Sequence, residues 1–208
     1  MNTPLLQVQQ VSCERGGRAL FQAVSFGLHS GQALHLQGDN GAGKTTLLRA
    51  LAGLTPLSQG QVQWRGLDSV QHRAGFHADM LYLGHALGLK DELTALENVL
   101  FSAAMAGQQL SQSQALHALT TQGLRSRAHL PLRVLSQGQK RRVALARLQS
   151  ATSRLWLLDE PFVALDNDAV QALQTLLQTH VAQGGAVVFT SHQSVSLGQD
   201  MQTLRLQA

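Results

Sequence analysis

A short glycine-rich segment contains the residue types that hold phosphate groups. The segment Gly38-Asp39-Asn40-Gly41-Ala42-Gly43-Lys44-Thr45 fits the pattern G-x-x-x-x-G-K-[ST] of a phosphate-binding loop. Small residues let successive backbone N–H groups point towards phosphate oxygens, and a helix that follows adds a partial positive charge. Lys44 can reach the β and γ phosphates, and the Thr45 hydroxyl can ligate Mg²⁺. The segment therefore predicts a site for a nucleotide bound with magnesium.

Two carboxylates in the second half of the chain could complete this chemistry. Asp159 and Glu160 follow directly after the apolar run Leu155-Trp156-Leu157-Leu158, which is typical of a buried parallel strand. Acidic residues at the carboxyl end of such a strand, beside a phosphate loop, form the Walker B arrangement. Asp159 would hold Mg²⁺ through its water shell, and Glu160 is placed to polarise an attacking water. The alternative is a strand-end turn, because Asp-Glu-Pro is also good turn chemistry.

A second turn has the features of an anion site. The pentapeptide Leu135-Ser136-Gln137-Gly138-Gln139 opens an amphipathic helix predicted over residues 137–149. Ser136 and the N–H groups near Gly138 would make another anion site at a helix N-terminus. Since a phosphate loop already has its own γ-phosphate site, a second phosphate-recognising turn indicates that two copies of the chain share nucleotide.

Strands and helices must position these residues. Residues 33–37 alternate between apolar and polar as a half-buried strand does, and residues 46–52 form a helix closed by Gly53. Residues 86–135 have a helical pattern, and Thr94-Ala95-Leu96-Glu97 is a capping box that opens a helix running towards Gly107. The remaining predicted strands cover residues 5–11, 19–21, 24–28, 60–64, 81–83, 186–190 and 202–206. The remaining predicted helices cover residues 111–122 and 170–181.

These elements predict an α/β fold with a mainly parallel core sheet, an antiparallel β layer and a helical subdomain. We expect a single domain over residues 1–208. Residues 1–85 and 136–208 form its nucleotide-binding core with the β layer, and residues 86–135 form its helical subdomain.

Composition narrows the class of protein. The chain is 44% apolar, which is enough for a sizeable core, and its single cysteine, Cys13, excludes an internal disulfide. The net charge is +4, but charged residues make up 13% of the chain and aromatic residues only 4%, which argues against direct nucleic-acid binding. No apolar run approaches 18 residues and no signal peptide is apparent, so we expect neither a membrane span nor secretion.

The motifs occur in the order found in ABC-type ATPase domains of the P-loop NTPase class, which this chain resembles over essentially its whole length. The phosphate loop, 135–139, 155–161, Ala164-Leu165-Asp166 and Thr190-Ser191-His192 resemble, in turn, Walker A, the signature, Walker B, the D-loop and the switch histidine. The resemblance implies a head-to-tail dimer with two ATP molecules sandwiched between Walker A of one copy and the signature of the other. Asp166 would lie at the dimer seam, and His192 would contact the γ-phosphate and the attacking water.

Three positions depart from the family pattern. Gln137 stands where the signature usually has glycine, and His85 stands where the Q-loop glutamine is expected. Arg15 replaces the aromatic residue that many members stack on adenine. We expect the Arg15 guanidinium to stack on the ring instead; the alternative is a solvated turn arginine beside Glu14.

The loop and the resemblance together predict three sets of site residues. The catalytic set is Glu160, His192, Lys44 and His85. Mg²⁺ would be held by Thr45 and Asp159, with His85 as a further candidate ligand. The set predicted to contact ATP is Gly38, Asp39, Asn40, Gly41, Ala42, Gly43, Lys44, Thr45, Thr46, Arg15, Ser136, Gly138, Gln139 and Asp166.

A finer resemblance is to the ATP-binding subunit of the bacterial cytochrome c maturation haem exporter, the CcmA type. The residues that carry it are His85, Leu93-Thr94-Ala95-Leu96-Glu97-Asn98, the run 139–147 and Thr190-Ser191-His192-Gln193. It implies a peripheral subunit on the cytoplasmic face of the inner membrane, bound to integral partners of the CcmB and CcmC type. ATP hydrolysis would then serve haem transport for cytochrome c-type biogenesis, with no direct haem binding by this chain.

Two other functions stay open at the level of sequence. One is an ATPase subunit of another small-substrate exporter, for lipids, drugs or metals. The other is a soluble, non-transport ABC ATPase acting on nucleic acid or ribosomes, although such proteins usually have two cassettes or a coiled-coil insert. For a transporter subunit, the residues that could line a docking cleft for the membrane partner are Leu87, Leu89, Leu93 and Leu96, which could equally form the core of the helical insert.

Overall fold

A computed structural model describes residues 3–193, 195–198 and 201–206 of the chain. The chain divides into two compact units. One, which we call the sheet unit, comprises Met1–His85, Ser153–Pro161 and Leu177–Ala208. The other, which we call the helical unit, comprises Ala86–Thr152 and Phe162–Leu176. Residues 136–152 and 162–176 thus group with the helical residues, whereas the expected subdomain ended at residue 135.

The sheet unit contains a five-stranded parallel sheet. Its strands are β3 (Ala33–Gln37), β6 (Met80–Leu83), β7 (Leu155–Leu158), β8 (Ala186–Thr190) and β9 (Met201–Arg205). Their order across the sheet is β6-β7-β8-β3-β9, and all neighbouring pairs are parallel. Strands β7 and β8 are buried along their whole length, as strands of a covered parallel sheet are. Because these strands are parallel, the carboxyl ends of β3, β7 and β8 lie at the same edge of the sheet.

An antiparallel sheet of four strands forms the β layer of the same unit. It consists of β1 (Leu6–Arg15), β2 (Arg18–Leu28), β4 (Gln59–Trp64) and β5 (Leu67–Asp68), in the order β2-β1-β4-β5. An apolar core holds residues of this layer, such as Val8 and Val62, together with Leu157 of the parallel sheet and Leu47 of helix α1 (Lys44–Leu51). The predicted combination of a parallel core sheet and an antiparallel layer is confirmed.

The helical unit is built on three mutually packed helices, α3 (Ala95–Met105), α4 (Gln112–Thr121) and α5 (Gln137–Gln149). Its apolar core includes Leu96, Leu119 and Val143. Short 3₁₀ turns at Arg125–Arg127 and Leu132–Val134 lie between α4 and α5. The predicted capping box is present, since Glu97 N–H donates to the Thr94 hydroxyl and Thr94 N–H donates back to the Glu97 carboxylate. Helix α6 (Asn167–Ala182) begins in this unit.

Some boundaries differ from those predicted. Strand β2 is continuous where two short strands were predicted, because the interruption is a bulge: Ala23 has a positive φ of 51° and its N–H donates to the Ser12 hydroxyl. Helix α2 (Arg73–Ala78) was not predicted, since a helix of six residues is too short to show a period. Among the described residues, no helix has both the length and the apolar character that crossing a membrane requires.

Candidate nucleotide site

The phosphate loop lies between β3 and α1, as predicted, and its shape depends on glycine. Gly43 has a φ of 89°, which is left-handed, and it is the N-cap residue of α1. A Cβ at this position would come within 3.0 Å of the Leu20 carbonyl oxygen. Within the described loop, no side chain caps the N-terminus of α1. The first N–H groups of the helix can therefore donate to an anion, which is the condition for a phosphate site.

Lys44 is directed back over the loop that precedes it. Its Nζ donates to the carbonyl oxygens of Gly38 at 2.7 Å and Asp39 at 3.1 Å. This conformation keeps the ammonium group above the loop, which is where the phosphates of a bound nucleotide would lie. The rest of the loop is open to solvent at Asp39, Asn40 and Gly41, whereas Ala42 is buried and packs into the core.

The Walker B aspartate meets the loop threonine. The Thr45 hydroxyl donates to Asp159 Oδ2 at 2.9 Å, and Asp159 is buried at the end of β7. A hydroxyl oxygen and a carboxylate oxygen placed side by side are the hard oxygen ligands that Mg²⁺ prefers, and Mg²⁺ needs few protein ligands when phosphates and water fill the others. The residues present therefore fit a magnesium ion bound together with nucleotide.

Glu160 has an unusual backbone conformation. Its φ is 51°, in the left-handed region, where a non-glycine residue costs about 1–3 kcal/mol. Its N–H donates to the Thr190 hydroxyl at 2.8 Å, and that hydroxyl in turn donates to Asp159 Oδ1 at 2.9 Å. Backbone strain of this kind concentrates at functional sites.

The predicted switch histidine lies next to this carboxylate. His192 Nε2 is 3.5 Å from Glu160 Oε1, and the imidazole is 60% exposed while the Glu160 side chain is 15% exposed. The structure therefore places Thr45 against Asp159 and His192 beside Glu160. Lys44 directly precedes Thr45, and all five residues belong to the sheet unit.

The other two predicted site residues of this unit are His85 and Arg15. The His85 side chain is exposed in a bend after β6 and makes no hydrogen bond or ion pair with any part of the chain that the structure describes. Arg15 ends β1, where its backbone pairs with Arg18 of β2, but its side chain lies outside the described residues.

The signature turn begins α5 in the helical unit. Ser136 is the N-cap: its hydroxyl accepts from Gln139 N–H at 3.3 Å, and Gln139 Oε1 accepts from Ser136 N–H at 3.0 Å. This capping box occupies the Ser136 oxygen as an acceptor and leaves its hydroxyl proton free to donate. Ser136 therefore stabilises the helix and can still contribute a donor to an anion.

Packing constrains Gly138 in the signature turn. Position 137, where the family usually has glycine, holds Gln137 in this chain. A Cβ on Gly138 would lie 2.9 Å from the carbonyl oxygen of Ala164, so only glycine lets the two segments approach this closely. Gln137 is exposed on the first turn of α5, where a side chain projects into solvent. The glutamine at this position is thus accommodated without displacing the turn.

Asp166 has partners within the helical unit. Its carboxylate accepts from Ala169 N–H at 3.0 Å at the start of α6 and forms an ion pair with Arg142 of α5. The Ala169 N–H lowers the pKa of the Asp166 carboxyl below its ordinary value, and the Arg142 charge lowers it further. The signature helix and the D-loop are therefore joined by a charge pair.

Three residues near the site were not predicted. Thr190 contacts both Walker B residues, as described above.

His35, in the strand before the phosphate loop, is buried and its ring stacks on Phe189. Its Nε2 lies 3.1 Å from the Ser191 carbonyl oxygen, and its Nδ1 lies 3.1 Å from Gln37 Nε2. Burial and then the negative charge of Asp159 raise the pKa of the Tyr82 phenol. Thr190 lay within the predicted switch-histidine motif without a role of its own, and the signal for the other two was a polar residue in a mainly apolar strand.

Comparison with known proteins agrees with this arrangement. The family model described as ABC transporter matches residues 21–163. The cytochrome c biogenesis ATP-binding export protein CcmA of Dechloromonas aromatica is 48% identical over 193 residues, covering 93% of this chain and 95% of that protein.

Two solved structures share the fold. A putative ABC transporter ATP-binding protein from Pyrococcus furiosus has a TM-score of 0.84 at 21% identity, covering 97% of this chain and 96% of the other. An ATP-binding cassette solved as a dimer, in a post-hydrolysis state bound to ADP and Pi, has a TM-score of 0.79 at 23% identity, covering 90% and 88%.

The fold and the site together define the class of protein, which is a P-loop ATPase of the ABC type. Such a protein binds nucleotide and hydrolyses ATP. Within that class, the chain belongs to the CcmA family of cytochrome c biogenesis ATP-binding export proteins.

Proposed function

We propose that the chain is the ATP-hydrolysing subunit of a membrane ABC complex that serves haem export or delivery during c-type cytochrome biogenesis. The observation that carries this proposal is its 48% identity, over nearly the whole of both chains, to a protein named for cytochrome c biogenesis and export. In this proposal the haem contacts are made by the partners rather than by this chain.

The geometry of the sheet unit supports a set of catalytic roles. Lys44 and the N–H groups of the loop bind the β and γ phosphates, where they stabilise charge that develops during transfer. Glu160 orients and polarises the attacking water, and His192, 3.5 Å away, contacts the same water and the γ-phosphate. His85 follows β6 and would approach the metal or the water when nucleotide is bound.

Magnesium belongs to this proposal as a cofactor. Thr45 and Asp159 would hold the ion, Thr45 directly and Asp159 through water. When bound, the ion neutralises phosphate charge and orients the γ-phosphate. The hydrogen bond between the two side chains supports this assignment, since it keeps both oxygens together before the ion arrives.

The catalytic assembly is a head-to-tail dimer. Loop residues 38–46 and Arg15 bind ATP in one copy, while Ser136, Gly138 and Gln139 of the other copy bind its γ-phosphate. Asp166 lies near the seam. The dimeric state of the structurally similar ATP-binding cassette supports this arrangement.

The partners are integral membrane subunits of the CcmB and CcmC type, which hold the chain at the cytoplasmic face of the inner membrane. Their docking surface is on the helical unit. Leu96 belongs to the core of that unit and the half-buried Leu89 packs against this core. Leu87 and Leu93 are also half-buried but are not part of the core, so they are better placed for contact. Phe101 and Met105 of α3 add exposed apolar surface, with 39% and 73% of each residue exposed.

Membrane flotation tests the partner assignment. The chain is expressed with and without the cytochrome c maturation membrane subunits, and its position in a density gradient is measured. We expect it to float only with those subunits, in two copies per complex. Equal flotation without them, or failure to float with them, would remove the main support for the haem assignment.

A functional assay separates haem export from the other transport functions. In cells lacking the endogenous ATP-binding subunit, we expect the wild-type chain to restore haem attachment to c-type cytochromes and Glu160→Gln not to restore it. A chain that hydrolyses ATP but never restores attachment, even with its own membrane subunits, would be an ABC ATPase of a different system.

A further inference from the structure

Thr190 is a fully buried threonine at the carboxyl end of β8, adjacent to β7 in the parallel sheet. Because Leu158 pairs with Phe189, the next residue along each chain, Asp159 after the end of β7 and Thr190 at the end of β8, come side by side. The hydroxyl is the only polar group of the Thr190 side chain, so any hydrogen bond of this side chain is made through it.

The direction of both hydrogen bonds at Thr190 is determined by its neighbours. Glu160 N–H can only donate, so the Thr190 oxygen accepts that bond at 2.8 Å. An ionised carboxylate can only accept, so the Thr190 hydroxyl proton goes to Asp159 Oδ1 at 2.9 Å. Asp159 Oδ2 accepts from Thr45 at 2.9 Å, which places one hydroxyl on each oxygen of the carboxylate.

We propose that Thr190 is a positioning residue for ATP hydrolysis, which holds the metal-side carboxylate of Asp159 and the strained backbone of Glu160 in one geometry. This inference rests on the proposed catalytic roles of those two residues. Through Asp159 the hydroxyl orients the metal-side oxygens, and through the N–H of Glu160 it stabilises the left-handed backbone that directs the glutamate side chain.

Two substitutions separate the hydroxyl from the packing. Thr190→Val keeps the branched shape and removes the hydroxyl, whereas Thr190→Ser keeps the hydroxyl and removes the methyl group. A positioning role predicts that Thr190→Val lowers kcat by about 10- to 100-fold, as loss of an outer-shell partner does. The same role predicts a smaller change in KM for ATP and a higher Mg²⁺ concentration for half-maximal activity, while Thr190→Ser stays close to wild type in all three.

Hydrogen exchange without nucleotide gives a readout that does not depend on activity. We expect faster deuterium uptake in a peptide covering residues 158–162 in Thr190→Val, and wild-type uptake in Thr190→Ser. Melting temperatures of both variants are measured alongside. If Thr190→Val does not accumulate as folded protein, Thr190→Cys, a weaker donor of similar size, replaces it and should be intermediate in both readouts.

The proposal is overturned if Thr190→Val keeps wild-type kcat and wild-type exchange. It is equally overturned if Thr190→Ser loses as much activity as Thr190→Val, because the effect would then follow packing rather than the hydroxyl. If wild type itself hydrolyses no ATP, the proposed function fails, and the exchange experiment alone decides whether Thr190 holds the two carboxylate residues.

Discussion

At the scale of single residues, the site depends on side chains whose neighbours hold them in one orientation. Glu160 is the clearest case, because its carboxylate lies 3.5 Å from His192 while its backbone is held in a left-handed conformation. The carboxylate of Asp159, one residue earlier, accepts hydrogen bonds from the hydroxyls of Thr45 and Thr190. In the proposed mechanism these adjacent acidic residues therefore have different tasks, Asp159 towards the metal and Glu160 towards the water.

Replacing Glu160 by glutamine should separate binding from turnover. Glu160→Gln keeps the shape and removes the base, so we expect ATP binding to be retained and turnover to fall about 10²- to 10⁴-fold. Steady-state phosphate release and binding of a fluorescent ATP analogue measure the two effects. The matched control is Glu92→Gln, at an exposed glutamate of the helical unit, and it should leave both unchanged. Unchanged turnover in Glu160→Gln, free of contaminating ATPases, would remove Glu160 from the mechanism.

His85 should make hydrolysis sensitive to pH. A neutral imidazole can ligate a cation or accept a proton from water, but a protonated one cannot. We therefore expect ATPase activity to fall more steeply on acidification in wild type than in His85→Gln. Both profiles are measured in the same Mg²⁺ and ATP concentrations, since His192 is present in both proteins and contributes equally. Superimposable profiles would contradict a role for His85.

At the scale of elements, the two anion-binding turns are built differently. The phosphate loop leaves the N-terminus of α1 without a side-chain cap in the described structure, so its N–H groups are available to a ligand. The signature turn is capped by Ser136 and Gln139, so α5 is stable without a ligand. Helix α5 is also tied to Asp91 through Lys140 and to Asp166 through Arg142. The signature is thus presented on a helix whose start is already ordered.

The close approach of α5 to residue 164 predicts which position requires glycine. In Gly138→Ala, the new methyl group would meet the Ala164 carbonyl at 2.9 Å. Overpacking of this kind costs about 1–3 kcal/mol, partly offset by the helix propensity of alanine, which gains up to about 1 kcal/mol. We expect a net loss of unfolding free energy in urea. Gln137→Ala, one residue earlier and exposed, should change it by less than about 0.5 kcal/mol. Equal stability of the two variants would contradict the packing argument.

The charge pair at the start of α6 predicts a pH dependence of stability. The pKa of Asp166 is lowered by the Ala169 N–H and then by Arg142, so it lies below its value in the unfolded chain, about 3.9. The ionised carboxylate therefore stabilises the fold above that pH, and this contribution is lost as the pH falls through the folded pKa. We expect Asp166→Asn to be less stable than wild type at pH 7, with a difference that shrinks as the pH falls below about 4. Urea unfolding at each pH measures it, and a difference independent of pH would contradict the assignment.

At the scale of the whole molecule, the residues proposed for hydrolysis and the residues of the signature turn belong to different compact units. Lys44, Asp159 and Glu160 belong to the sheet unit, and Ser136 and Gly138 belong to the helical unit. In the proposed dimer, each nucleotide would use the sheet unit of one copy and the helical unit of the other. Nucleotide would then be the ligand that joins two copies.

Dimer formation should accordingly depend on ATP and on Ser136. In the Glu160→Gln background, where ATP persists, we expect sedimentation to show dimers with Mg-ATP and monomers without it. Adding Ser136→Asp keeps a good N-cap but places a negative charge opposite the γ-phosphate, so dimers should be lost. Ser136→Asn, also a good N-cap and uncharged, is the matched control and should retain more dimer. Dimers that form equally in both variants would place the signature away from the nucleotide.

The sequence by itself determined the fold class and named most of the residues proposed for the site. The phosphate loop, Walker B and the switch histidine are local patterns with fixed spacing, so Lys44, Thr45, Asp159, Glu160 and His192 could be named without coordinates. The capping box at Thr94 depends on residues three apart, which the sequence also reveals, whereas the capping box at Ser136 was seen only in the structure. Strand periodicity was sufficient for the parallel sheet and the antiparallel layer, but it could not distinguish the bulge at Ala23 from a break between strands.

Only the tertiary structure decided how residues far apart in the chain complete the site. Thr190 lies 31 positions from Asp159, and they meet because β7 and β8 are parallel neighbours, which no local pattern shows. The contact of His35 with the Ser191 carbonyl and the approach of Gly138 to Ala164 have the same origin. Such contacts depend on strand order and helix packing, which arise from burial of apolar surface over the whole unit. Burial is non-directional, so the apolar period that marks a buried element does not say which other element it packs against.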